Sequence, residues 1–274
     1  MIIRTPSRLH LGIIDLSRRF IREYGALGLT IKGGFTIDIK PRADGMKINA
    51  SEKNKKDIRD VIRNIEKHIE IENGYKIEVK ENIPRHIGLG STTQLNLGIA
   101  KAIFDLENES RDIIEIARIV KRARYSAIGT YGFKYGGFIL EGGKVNKEEI
   151  PPMTFRSEIP NDWRILVVCS EELEGYDEEE ERPIMDELEV DVEFPEKISH
   201  HIVMGLLPAL KTNDIADFGF HLSQIQRLVG KSFSSYQGGE FHPEVSEMIE
   251  KLNQLTYGIG QSSWGPTVYG ITTE

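Results

Sequence analysis

The sequence predicts an α+β protein of two intimate lobes built on mixed or antiparallel sheets. Three observations carry that reading. Residues 1 to about 50 read as strands, helical periodicity dominates later in the chain, and the composition shifts at Pro151-Pro152. We place the lobes at 1–154 and 155–274, and 274 residues suffice to bury a sizeable core.

In chain order, Leu9 to Leu16, Leu27 to Ile31, Phe35 to Ile39 and Met46 to Ile48 alternate as strands between glycine-rich or charged turns. The period then changes. Ile58, Val61, Ile62, Ile65 and Ile69 form the apolar stripe of a helix lying on a sheet. Tyr75 to Lys80 alternates again, and Leu95, Ile99, Ala102, Ile103 and Leu106 recur at helical spacing, predicting a helix over 92–106. Ile113, Ile116, Ala117 and Val120 predict another, and Tyr135 to Leu140 resumes as a strand. In the second lobe Trp163 to Cys169 reads as a buried strand, followed by helices at about 197–211, 214–229 and 244–255. Gly258 to Ile271 is a glycine-rich turn entering a final strand.

Composition removes several function classes. Lysine plus arginine number 35 against 43 acidic residues, a net charge of −8, and no basic stripe interleaved with aromatics appears, which argues against nucleic acid as a partner. No apolar run approaches the length of a membrane span, and the chain opens on a strand-like Ile2-Ile3 instead of a charged, then apolar, leader. The single Cys169, in the run Ile165 to Cys169, supports neither a disulfide framework nor a cysteine-based metal site and reads as a buried structural thiol. A soluble cytoplasmic protein is expected. From Glu171 to Glu193 thirteen carboxylates face one basic residue, Arg182, which reads as a solvated loop ahead of a metal site. His200-His201 and His242 show no metal-ligand spacing with other donors.

The most informative segment is Pro84-Arg85-His86-Ile87-Gly88-Leu89-Gly90-Ser91-Thr92-Thr93-Gln94, which runs from an extended stretch into a helix. Gly88 and Gly90 permit backbone angles closed to other residues and let a ligand approach the main chain. Ser91 and Thr92 suit a helix cap, and the free amides at that helix start suit a phosphate. Capping alone explains many such starts, so the loop is specific only in company.

That company exists. Pro6-Ser7-Arg8-Leu9-His10-Leu11-Gly12, Pro84 to Thr93 and Gly258 to Pro266 together resemble, in order and spacing, the three motifs of the GHMP small-molecule kinase superfamily. The resemblance implies an N-terminal lobe like ribosomal protein S5 domain two, a ferredoxin-like C-terminal lobe and an active site between them. A narrower set is similar to β-ribofuranosylaminobenzene 5′-phosphate synthases: Ser7 to Leu16, Ser126 to Thr130, Tyr135 to Ile139, Leu207 to Leu210, Gln237 to Gly239 and Gly260 to Thr267. The long Gly-Gln-Ser-Ser-Trp-Gly-Pro-Thr run is the most specific of these. Ser126-Ala127-Ile128-Gly129 aligns with a kinase Ser-Gly-x-Asp motif and puts glycine where the aspartate stands, so that proton acceptor is missing. The family pattern also continues past the final Pro-Thr strand.

The resemblance implies joining 5-phosphoribosyl 1-diphosphate to 4-aminobenzoate with release of diphosphate and carbon dioxide, in tetrahydromethanopterin-type biosynthesis, with Mg²⁺ sharing the diphosphate charge and no organic cofactor. It marks Gly88, Leu89, Gly90, Ser91, Thr92 and Thr93 as the phosphate cradle, Arg8 as a carboxylate clamp, and Trp264 as one wall of a flat slot. Gln94, Gln261, Ser262 and Ser263 are further substrate-binding candidates, and His10 and Asp15 catalytic ones. Each has an ordinary alternative. Arg8 can pair with surface acid, His10 can be structural, the serines can cap a turn, and Trp264 can be core. Asp15 has opposite strand parity to Arg8 and His10 unless a bulge intervenes. The acidic pair and Thr/Gly loop of ordinary phosphoribosyltransferases are absent from the sequence, so the donor rests on the resemblance. An ATP-dependent small-molecule kinase and a non-catalytic sensor of the same fold are the competing readings, and a homodimer is expected by analogy.

Overall fold

The structure, a computed structural model, describes residues 1–170, 173, 175–176, 178–188 and 190–273. Five strands open the chain: β1 (Ile2–Arg4), β2 (Ser7–Asp15), β3 (Tyr24–Ile31), β4 (Thr36–Arg42) and β5 (Lys47–Asn49). Helix α1 (Glu52–Ile65) is capped by the Ser51 hydroxyl, which accepts from the Asn54 amide at 3.3 Å. Ile69, expected on the same stripe, lies beyond its end but still packs on the core. Strand β6 (Gly74–Glu81) leads to α2 (Ser91–Leu106), α3 (Ile113–Ile119), α4 (Ile128–Tyr135), β7 (Phe138–Glu141) and β8 (Met153–Ser157).

The first sheet has order β1-β4-β6-β5 and the second β2-β3-β7-β8. Ile37 and Ile39 of β4, Tyr75 and Ile77 of β6 and the α1 stripe close one core with α2 and α3. The second sheet has apolar matter on both faces. Ala26 joins that first core while Leu27 and Leu29 join a second, so six consecutive residues of β3 are buried.

After β9 (Trp163–Val168) come α5 (Glu178–Glu187) and α6 (Glu193–His201), then a π-helical turn over Ile202–Leu206, α7 (Leu207–Thr212) and α8 (Ile215–Gln237). A 3-10 turn (Pro243–Val245), α9 (Ser246–Leu255), β10 (Gly258–Gln261) and β11 (Val268–Thr273) complete the chain, the third sheet having order β10-β11-β9. The second core joins Leu9, Leu11 and Phe138 of the first lobe to Ile198, Phe218, Leu222, Tyr269 and Ile271 of the other. Residue 154 falls inside β8, which pairs with β7, and the third sheet begins at Trp163.

Several expectations need correction. Tyr135 ends α4, and Gly136 (φ 64°) and Gly137 (φ 81°) turn the chain into β7. β9 lies at a sheet edge, so Leu166, Val167 and Val168 are exposed and only Trp163 is buried. Cys169 is half-buried, with its thiol donating to the Ser170 carbonyl at 3.4 Å. The acid-rich stretch, expected as a loop, contains α5, because Met185 and Leu188 pack with Leu16, Tyr24 and Phe233. Glu171, Glu172, Glu174, Asp177 and Glu189 of that stretch lie outside the described residues. Among the described residues no helix is long and apolar enough to cross a membrane.

Candidate active site

Arg8 and His10 owe their position to a bulge in β2. The β2–β3 register runs Arg8 to Thr30 and His10 to Gly28, then slips so that Gly12 meets Leu27. Gly12 takes the turn at φ 123°. Its amide donates to His10 Nδ1 at 3.3 Å, which leaves the ring proton on Nε2. The bulge also brings Asp15 onto the Arg8 side. Asp15 nevertheless accepts from the amide and hydroxyl of Ser17, both at 2.7 Å, and does not line the cleft.

The glycine loop lies directly over this strand, with the Arg8 amide donating to the Leu89 carbonyl at 3.2 Å and Arg8 Nη1 to the Gly88 carbonyl at 2.6 Å. Gly90, at φ 75°, is the N-cap of α2, and no side chain caps the helix. Ser91 and Thr92 therefore do not cap, as expected of them, but sit in the first turn. The hydroxyls of Thr92 and Thr93 instead receive hydrogen bonds from Arg85 at 3.1 Å and Arg122 at 3.3 Å. Arg8 and Arg122 thus line the cleft beside a helix start whose amides have no side-chain acceptor, an arrangement suited to an anion, while Arg85 is paired with Asp57 and lies outside the lining. Leu89 alone of the expected cradle turns its side chain away, into both hydrophobic cores.

The turn after β10 locks the loop in place. The Ser262 hydroxyl donates to the Gly88 carbonyl at 2.6 Å and accepts from the His10 amide at 2.9 Å, so one buried oxygen joins three segments. A Cβ on Gly265 would lie 2.2 Å from the Ile87 carbonyl carbon. Gln261 is similarly occupied, accepting from the His242 amide at 2.9 Å, while Gln94 donates to the Gly129 carbonyl at 2.9 Å. Ser262 and Gln94 are fully buried and do not line the cleft; Gln261, Ser263 and Trp264 do. Trp264 meets Phe233 edge-on at 4.5 Å and Tyr176 at 5.4 Å, making one aromatic wall beside Met185 and Val229.

Sequence reasoning did not single out four further residues that line the cleft, Arg122, Arg124, Tyr125 and Glu181 of α5; Tyr125 packs in the same apolar cluster as Met185, Phe233 and Trp264. The arginines precede the matched Ser126 segment, a local signal that the sequence did carry, whereas Glu181 is hidden in a run of identical charges.

Burial dominates the site's electrostatics. It lowers Arg8 to about 10, with Glu181 opposing and Arg122 adding to the shift, so Arg8 remains a cation at neutral pH. Burial, reinforced by Arg8, lowers His10 to about 3, so the imidazole is neutral and offers Nε2–H as a donor. Beside Ser126, Glu141 is fully buried, accepts from the Ala127 amide at 2.7 Å, and is raised by burial to about 8. Below pH 4.5, its ordinary value, Glu141 is protonated in both the folded and the unfolded chain. Between 4.5 and about 8 only the unfolded chain releases the proton, so the fold loses up to about 1.4 kcal/mol per pH unit. Denaturant titrations at pH 5 and pH 8 are expected to show Glu141→Gln gaining several kcal/mol on the wild type over that interval.

Comparison with known proteins gives this arrangement a class. Residues 56–137 match the GHMP kinases N terminal domain and residues 206–274 the GHMP kinases C terminal domain. Mevalonate kinase of Methanococcus jannaschii superposes with a TM-score of 0.70 at 20% identity, over 100% of this chain and 90% of that one. Phosphomevalonate kinase of Streptococcus pneumoniae gives 0.74 at 12% identity, over 100% and 92%. Similarity in sequence is narrower. The β-ribofuranosylphenol 5′-phosphate synthase of Methanothermobacter thermautotrophicus is 30% identical over 100% of this chain and 89% of its own length. Those of Methanocaldococcus jannaschii and Archaeoglobus fulgidus are 31% and 32% identical, with 89% and 87% of their lengths covered. The chain belongs to the β-ribofuranosylphenol 5′-phosphate synthase family, a branch of the GHMP kinase fold.

Proposed function

We propose that this enzyme transfers the ribose 5-phosphate unit of 5-phosphoribosyl 1-diphosphate to the carboxyl-bearing ring carbon of a para-substituted benzoate. The single observation that carries the reading is the open α2 N-terminus, placed against Arg8 and the Trp264 wall in a cleft belonging to a synthase family. The donor's C1–O bond breaks and diphosphate leaves with the electron pair. The arene then forms the C1–C bond, and its carboxylate departs as carbon dioxide, returning an electron pair to the ring. The relatives are named for a phenol, whereas the sequence motifs implied an aminobenzene. The acceptor proposed here is accordingly 4-hydroxybenzoate, with 4-aminobenzoate its close analogue in the same slot.

The chain's own groups divide this work. Amides of Gly88 to Thr93 take the diphosphate, whose negative charge grows as it leaves. Arg8, anchored through Nη1 on Gly88, presents the rest of its planar fork to the acceptor carboxylate. Trp264, Phe233 and Tyr176 hold the ring flat and exclude water around an electron-poor ribose centre. Neutral His10 donates from Nε2 without competing for a proton. Among the described residues no three His, Cys, Asp or Glu side chains gather as a metal site. Mg²⁺ would be held by the donor's own diphosphate, with Glu181, which lines the cleft, as the one protein carboxylate offered to it, since Mg²⁺ favours one or two carboxylates plus substrate phosphates. When bound, it shares the leaving group's charge.

The test is product analysis after incubation with Mg²⁺, the donor and each carboxyl-labelled benzoate. A ribosyl arene retaining one phosphate and lacking the label is expected, faster with 4-hydroxybenzoate. Phosphate transfer from ATP to either acid, or binding without turnover, would overturn the proposal.

A further inference from the structure

The cleft contains a cation that the chemistry above does not use. Arg124 lines the cleft, and among the described residues it pairs with no carboxylate; its guanidinium lies 5.3 Å from the Tyr125 ring centroid. Arg122 is already engaged, donating to Thr93 and so belonging to the helix start. Glu240, another acid of the cleft, is held by Arg227 at 3.0 Å and Lys231 at 3.3 Å.

The backbone carrying Arg124 is unusual. Lys121 (φ 56°) ends α3 in an ordinary left-handed cap, with the Arg122 amide donating to the Ala117 carbonyl at 2.7 Å, but Ala123 (φ 64°) returns to the left-handed region two residues on, which alanine does not favour. Two buried ionisable side chains from the far end of β7 and the turn after it hold the backbone that follows. The Lys144 ammonium, 5% exposed, donates to the Arg124 carbonyl, and the Glu141 carboxyl accepts from the Ala127 amide. A surface loop that merely connects α3 to α4 has no use for a left-handed alanine followed by two backbone groups, at Arg124 and Ala127, held by desolvated side chains. A loop that aims a guanidinium at a ligand does.

We propose that Arg124 is the recognition residue for the terminal monophosphate of the ribosyl donor, at the opposite end of the donor from the diphosphate cradle. The proposal rests on the ribosyl-transfer reading and deepens it. A donor with anionic groups on both sides of a sugar needs two anion sites, and one helix start supplies one. The planar fork of arginine matches a phosphate monoester in two hydrogen bonds, which the helix amides, committed to the other end, cannot make.

Calorimetric titration of the wild type, Arg124→Ala and Arg124→Lys tests this, using ribose 5-phosphate, Mg²⁺-diphosphate and 4-hydroxybenzoate as separate probes. Arg124→Ala is expected to weaken ribose 5-phosphate about tenfold to a hundredfold and Arg124→Lys less, with diphosphate and benzoate moving less than about twofold. An unchanged ribose 5-phosphate affinity, an equal loss for both anions, or a loss confined to the benzoate would overturn the assignment while leaving ribosyl transfer standing. A wild type that binds neither anion would remove the reading beneath it. Should the alanine variant not fold, Arg124→Lys and Arg124→Gln provide the same comparison.

Discussion

Arg8→Ala is expected to lower kcat/KM by about 10² with little change in the fold, the loss found when a group that orients a substrate for attack is removed. Two observations separate activity from stability here. The Gly88 carbonyl that accepts from Arg8 also accepts from Ser262 at 2.6 Å, so the glycine loop keeps an anchor when the guanidinium is gone. The guanidinium is cationic at neutral pH despite its burial, so its removal deletes charge from the cleft itself. Arg8→Lys restores the charge without the fork and is expected to recover only part of the loss, chiefly in KM for the acceptor. Steady-state kinetics with each substrate varied in turn, beside a denaturant titration, checks both statements.

Gly88→Ala is expected to damage both stability and activity. A Cβ there would sit 2.1 Å from the Ser262 carbonyl oxygen, and the residue's φ of 85° is itself strained for alanine. The obstacle is backbone on a locked turn, so no side chain can swing aside, and a loss of about 2–4 kcal/mol follows together with displacement of the anion site. Gly33→Ala isolates the conformational part, because Gly33 has a similar φ of 90° with nothing within 4 Å. That control is expected to cost about 1 kcal/mol and leave catalysis intact. Equal behaviour of the two variants would mean that interlocking of the loops is not what holds the site.

The glycine loop and the β2 motif were legible in the sequence because their signals are local: glycines, hydroxyls and a strand-to-helix change within a dozen residues. What they touch was not. Nothing in Ser262 announces that its hydroxyl bridges His10 and Gly88, since the three residues meet only through tertiary register. Asp15 illustrates the same limit: one slipped pair in the β2–β3 ladder decides which side it faces, and a neighbouring serine then occupies it. Helix α4 escaped detection because Gly129, Gly132 and the following Gly136-Gly137 depress helical propensity, and packing against β3 overrides it. β9 misled for the opposite reason, as an apolar run does not reveal whether a neighbouring strand covers it. In and just after α5, Met185 and Leu188 were outnumbered by carboxylates, and only the fold shows what they pack against.

The central physical claim is that main-chain amides from Gly88 to Thr93 hold the donor's diphosphate. Hydrogen–deuterium exchange of those amides, with and without saturating Mg²⁺ and 5-phosphoribosyl 1-diphosphate, addresses it directly. Exchange across Gly88–Thr93 is predicted to slow on donor binding while the exposed edge of β9 stays unchanged. Donor binding that leaves the exchange of those six amides unaltered would contradict the account.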